Sequence, residues 1–191
     1  DFTSQLDMLP NHQPELLCLL GSTIGNFGEQ DGVSLLEGIS SRMKPDDRLI
    51  VGFDMIKPKE IIEAAYNDTQ GITAAFNRNV LNVLNNELDA SFDPYSFDHL
   101  AFFNDDHGRI EMHLRAKQDL SVSIDSIGIT IELQEGETIH TESSRKFTPS
   151  SIEGMARGAG LSIANWYSDT DGWFSIVEMV ATKYTSVRQS R

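Results

Sequence analysis

The sequence is poor in cysteine, in positive charge and in long apolar runs. Its one thiol, Cys18, excludes a disulfide framework in a chain of 191 residues and suits a reducing, cytoplasmic setting. Lying within Leu16-Leu17-Cys18-Leu19-Leu20, it reads as a small buried core residue. Fifteen basic against twenty-nine acidic residues give a net charge of −14. Nucleic acid and anionic membranes are poor partners for such a chain, because both need local positive charge to displace counterions. No apolar run approaches the roughly 20 residues of a membrane-spanning helix. The start, Asp1-Phe2-Thr3, lacks the basic end and apolar stretch of a signal peptide. The five histidines, at 12, 99, 107, 113 and 140, show no metal-ligand spacing, and none is read as a zinc ligand. No Ser–His–Asp set, phosphate-binding lysine loop or pair of catalytic acids can be argued from spacing.

What is present is an apolar fraction of 39 %, enough to bury a core. Leu16–Leu20 has the unbroken pattern of a parallel strand buried on both faces, and it ends in Gly21-Ser22-Thr23-Ile24-Gly25-Asn26. Leu35, Leu36, Ile39 and Met43 then recur at helical spacing up to Pro45. Leu49–Phe53 is a second buried strand, which makes strand, helix and strand a crossover unit. Residues 58–67 and 73–89 read as helices, the second with Phe76, Val80, Leu84 and Leu88 along one face. Beyond about residue 97 the period changes to two around Ile110, Met112 and Leu114, Leu120, Val122 and Ile124, and Ile129, Ile131 and Leu133. That pattern predicts an antiparallel sheet with one wet face and His113 upon it. Asn104–Gly108 is a turn between two of its strands. Thr148-Pro149 starts a helix with Ile152, Met155 and Ala159 buried and Gly160 as a left-handed cap, before strands at 161–167 and 173–182.

The fold class is therefore α/β, with residues 1–55 and 147–191 forming part of a Rossmann-type sheet. An α+β insertion with an antiparallel sheet, residues 56–146, interrupts it. The α/β portion supplies about four strands, fewer than a doubly wound sheet usually has. The remainder is expected upstream of Asp1 or from another chain, and an incomplete sheet would favour self-association. Chemistry is expected where Gly21–Asn26 leaves a strand at its C-terminal end, although a plain tight turn fits that pattern as well. Ala65–Asp68 with Thr73–Arg78, and Thr141–Phe147, read by pattern alone as a capped turn and a solvated strand end. The second nevertheless lies at a domain junction, a common ligand position, with Glu142 and Ser144 pointing the same way.

Several segments carry a resemblance: Leu20-Gly-Ser-Thr-Ile-Gly-Asn26, Ala65-Tyr-Asn-Asp68, Gly71-Ile-Thr-Ala-Ala-Phe-Asn77, Arg109-Ile-Glu-Met112, Gly136-Glu137 and Thr141-Glu-Ser-Ser-Arg-Lys-Phe147. In this order they resemble the histidine-specific methyltransferases of ergothioneine biosynthesis, over essentially the whole chain. The resemblance implies a Rossmann-type methyltransferase domain with a substrate-binding insertion, S-adenosylmethionine as methyl donor and L-histidine as substrate, methylated on its α-amino group. It implies that Asn26 and Tyr66 hold the histidine carboxylate, that Glu142 and Ser144 hold the imidazole, and that Phe76 and Met112 line the pocket. Asp1, Phe2 and Gly21 would contact the cofactor. No single catalytic acid or base is implied, since the donor carries the activated methyl. The family's glycine-rich cofactor loop, its acidic ribose-binding residue and an aromatic beside the substrate amine have no match after Asp1. The chain by itself is therefore expected to bind cofactor weakly. The alternatives are a relative acting on another amine, or a non-catalytic amino-acid-binding or partner subunit of a split methyltransferase.

Overall fold

The structure is a computed structural model that describes residues 14–183, and it divides into two compact units. Among these residues the first unit comprises 14–56 and 144–183, and the second 57–143. Asp1 and Phe2 lie outside the described residues.

The first unit is built on a four-stranded sheet. Strands β1 (Leu16–Leu19) and β2 (Arg48–Asp54) pair in parallel across helix α1 (Glu29–Arg42). After helix α4 (Pro149–Gly158), β8 (Leu161–Ser168) and β9 (Phe174–Ala181) form an antiparallel hairpin, and the sheet order is β1-β2-β9-β8. Local chemistry explains the helix ends. Thr148 accepts from the Ser151 amide while Ser151 Oγ accepts from the Thr148 amide, a reciprocal cap ahead of Pro149. Gly160 takes the left-handed conformation, φ +67°, that ends α4. Leu35, Leu36 and Ile39 from α1 and Ile152, Met155 and Ala156 from α4 pack onto Leu49, Val51, Phe53, Val177 and Met179. Phe53 and Phe147 meet edge to face at 5.0 Å within that core.

The reading of β1 as buried on both faces is corrected. Leu17 and Leu19 pack on the core, whereas Leu16 and Leu20 are 65 % and 53 % exposed and Cys18 is exposed rather than buried. Successive side chains of a strand point to opposite faces, and among the described residues nothing covers the outer one.

The second unit holds α2 (Lys59–Tyr66), α3 (Ile72–Leu88), β3 (Phe97–Asn104), β4 (Arg109–Ala116), β5 (Leu120–Ile124), β6 (Ile129–Leu133) and most of β7 (Thr138–Arg145). The expected single antiparallel sheet is two: a three-stranded sheet β3-β4-β7 and a separate hairpin β5-β6. Both contribute to one core, in which Leu81 of α3 meets Phe97, Leu114, Val122 and Ile124. The face of α3 also differs from expectation. Asn77 and Leu81, four residues apart, are its buried pair, while Phe76 is 65 % exposed and Val80 37 %. A buried asparagine at the centre of the contact is possible because its amide group is fully engaged, as shown below.

Candidate functional site

In the first unit the polar chemistry gathers where β1, β2 and β7 end. Beyond β1 the chain turns through Gly21, φ +73°, and Ser22, φ +55°. A serine in that left-handed conformation needs holding, and the Asp54 amide donates to its Oγ at 3.0 Å. The following turn, Thr23–Asn26, presses on β7 at Gly25. A Cβ there would lie 2.8 Å from the Arg145 carbonyl oxygen and 3.5 Å from Ser144 Oγ, so only glycine permits the approach. Exposed Asn26 therefore stands one residue from a backbone that touches Ser144 and Arg145. Gly21 is exposed, and a Cβ on it would meet nothing nearer than Thr23 Oγ1 at 3.9 Å.

Ser144 is 5 % exposed, and Lys146 Nζ donates to its Oγ at 2.9 Å. The same ammonium stands 2.9 Å from Asp54 Oδ2, with the lysine side chain 1 % exposed and the aspartate 22 %. A buried ammonium needs such a counterion. An ammonium can only donate, so Ser144 Oγ is the acceptor in this contact and its own proton is available to a further acceptor. Sequence reasoning missed Asp54 and Lys146. The available signal was a lysine set directly before Phe147, a wholly buried residue of the core.

In the second unit Tyr66, at the end of α2, is half-buried against Ile62, Phe103 and Ile110. Met112 is 3 % exposed in β4, Glu142 is half-buried in β7, and Phe76 projects from the first turns of α3. A closed network runs among their neighbours. Asn77 Nδ2 donates to the His113 carbonyl and reaches His99 Nδ1, both at 3.0 Å, and His99 Nε2 lies 2.9 Å from the Tyr66 carbonyl. The amide nitrogen can only donate, so His99 accepts at Nδ1 and carries its proton at Nε2. The Thr141 hydroxyl reaches Asn77 Oδ1 and the Met112 carbonyl. Asn77, His99 and Thr141 thus tie Tyr66 to Met112 through hydrogen bonds, although none of the three was singled out from sequence. Asp68 caps α3 by accepting from the Ile72 and Thr73 amides, and those bonds hold its carboxyl down at about 2.

A parallel strand pair opening through a glycine turn, with polar residues gathered at the strand ends, defines the α/β class that binds ligands beyond the carboxyl ends of its strands. The chain belongs to the family of histidine-specific, S-adenosylmethionine-dependent methyltransferases, whose model matches residues 1–181. It is 38 % identical over 176 residues to the histidine N-alpha-methyltransferases of Mycolicibacterium smegmatis and Mycobacterium tuberculosis, covering 92 % of this chain and 55 % of each relative. It spans about half the length of those curated relatives. It is also 30 % identical over 164 residues to the L-tryptophan methyltransferase trpM of Psilocybe serbica, covering 83 % of this chain and 44 % of that protein. A solved S-adenosylmethionine-dependent methyltransferase from Clostridium acetobutylicum aligns with 95 % of this chain and 62 % of its own at 11 % identity and a TM-score of 0.47, too distant to carry an argument. Among the described residues no helix is long and apolar enough to cross a membrane.

Proposed function

We propose that this chain carries the substrate half of an S-adenosylmethionine-dependent N-methyltransferase acting on the α-amino group of L-histidine in the cytoplasm. The observation that carries the proposal is the Asp54–Lys146–Ser144 chain. It supports Ser144 as a hydroxyl with a proton to give, which suits an unprotonated ring nitrogen. Glu142, as a carboxylate, accepts from a ring N–H. Together the two select a neutral imidazole in one tautomer, and a side chain lacking either partner atom leaves a protein group unpaired. Asn26 and Tyr66 take the substrate carboxylate, while Phe76 and Met112 supply apolar contact.

The donor's sulfonium supplies an activated methyl group. Gly21 is assigned one flank of such a cofactor, which its exposure beyond β1 and the open space where a Cβ would stand support. The protein's remaining work is to hold the free amine in line with that methyl, which is positioning rather than proton transfer. Insertion residues 56–146 serve as the substrate-binding domain.

A second reading, an indole-bearing or other amino-acid substrate, is favoured by the likeness to a protein named for L-tryptophan. Calorimetric titration of L-histidine, L-tryptophan and S-adenosylhomocysteine into the chain separates the readings. Histidine binding that Glu142→Gln weakens tenfold or more supports the first. Equal or stronger tryptophan binding, indifferent to Glu142, replaces it with the second.

A further inference from the structure

On the three-stranded sheet of the second unit, Glu111, His113 and His140 bring their ligand atoms within 4.8 Å of one another, and we propose that they form a site for a late first-row divalent cation such as zinc. The sequence hid this cluster because β4 supplies two of its members and β7 the third, 27 residues further on.

Two donors already stand at ligand spacing. Glu111 Oε2 and His113 Nε2 are 3.2 Å apart, and two donors at about 2.1 Å from one tetrahedral ion stand about 3.4 Å apart. Each donor is also held from behind. Glu111 Oε1 accepts from Arg109 Nε at 2.8 Å and from Asn104 Nδ2 at 3.0 Å, which leaves Oε2 for the ion. Glu111 is buried, and the Arg109 guanidinium 2.7 Å from its Oε1 is the counterion that a buried carboxylate needs. His113 Nδ1 lies 3.2 Å from Thr138 Oγ1, the outer contact that fixes which ring nitrogen faces a metal.

His140 completes the set by turning. Its ring stacks on His113 at 4.6 Å and 10°, so the in-plane lone pairs run side by side instead of converging. It is exposed, and its Nε2 already rests near Ser143 Oγ and the Glu142 carbonyl, both at 3.0 Å. Rotation about Cβ–Cγ, a soft torsion, re-aims the ring nitrogens, one of which already lies within 4.8 Å of the other two ligand atoms. Two histidines and one glutamate leave a fourth position for water or a ligand atom.

The site is tested on the full chain, dialysed against chelator and titrated calorimetrically with zinc chloride, with thermal midpoints followed in parallel. One zinc per chain is expected, with affinity falling at least tenfold in both His113→Gln and His140→Gln. Zinc should raise the thermal midpoint of the parent and leave that of the variants unmoved. His140→Gln alters an exposed ring and leaves the buried Glu111 network with Arg109 and Asn104 intact. Absence of zinc binding, or binding retained by the His113→Gln/His140→Gln double variant, overturns the proposal.

Discussion

In the first unit the buried polar chain Asp54–Lys146–Ser144 ends on a hydroxyl whose proton meets no acceptor among the described residues. In the second, Asn77, His99 and Thr141 close on one another and on backbone carbonyls. The first uses full charge and stays open at one end. The second is made of amide, imidazole and hydroxyl groups bonded among themselves and to carbonyls, which is how a network that only holds structure behaves. Under the proposed function the network at the strand ends is the one that serves a ligand, while the one inside the helix–sheet contact holds structure.

Lys146→Met tests the open network hardest. It removes the ammonium from beside the Asp54 carboxylate and should cost about 3 kcal/mol in urea unfolding, the low end for a broken buried pair because Asp54 is partly wet. It should also weaken histidine binding. An unchanged affinity would make the ion pair structural and erase the contrast. Asn77→Ala tests the closed network: about 2 kcal/mol of stability should go, from several unpaired buried groups, with histidine affinity kept within twofold in the folded protein. A loss of affinity larger than the loss of stability would show that the closed network also serves the ligand. Gly25→Ala drives a Cβ into the Arg145 carbonyl and should cost about 1–2 kcal/mol while separating Asn26 from Ser144. Thermal unfolding with and without histidine distinguishes the two effects.

The smallest effect concerns Glu111. Its carboxyl is lowered in the folded chain from 4.5 to about 2, so its stabilisation is complete above about pH 4.5 and is lost as pH falls toward 2. The stability difference between parent and Glu111→Gln should shrink over that interval in acid-urea titrations. A pH-independent difference would mean that the Arg109 contact does not discriminate between the ionised and neutral side chains.

The sequence showed the framework because period and punctuation are local. The crossover strands, the Thr148-Pro149 helix start, the Gly160 cap and the switch to period two each depend on neighbours within a turn or a strand. What escaped it was set by pairing between distant segments. Phe76 looked like the buried position of α3 because it is apolar, yet the helix faces its sheet with Asn77, whose partners His99, His113 and Thr141 come from three strands. Ser144 was singled out through resemblance, but its role as a donor depends on Lys146 and Asp54, which sit 92 residues apart in the chain. Cys18 failed for a related reason, since an apolar run does not say which of its faces receives cover.

That exposed thiol has a practical use. As the one cysteine of the sequence, three residues before Gly21, it is a unique attachment point for a fluorophore or spin label on β1, an edge strand among the described residues. If the glycine turn is a ligand site as proposed, a probe there would sense its occupancy through quenching or altered mobility, without a change to any proposed ligand contact.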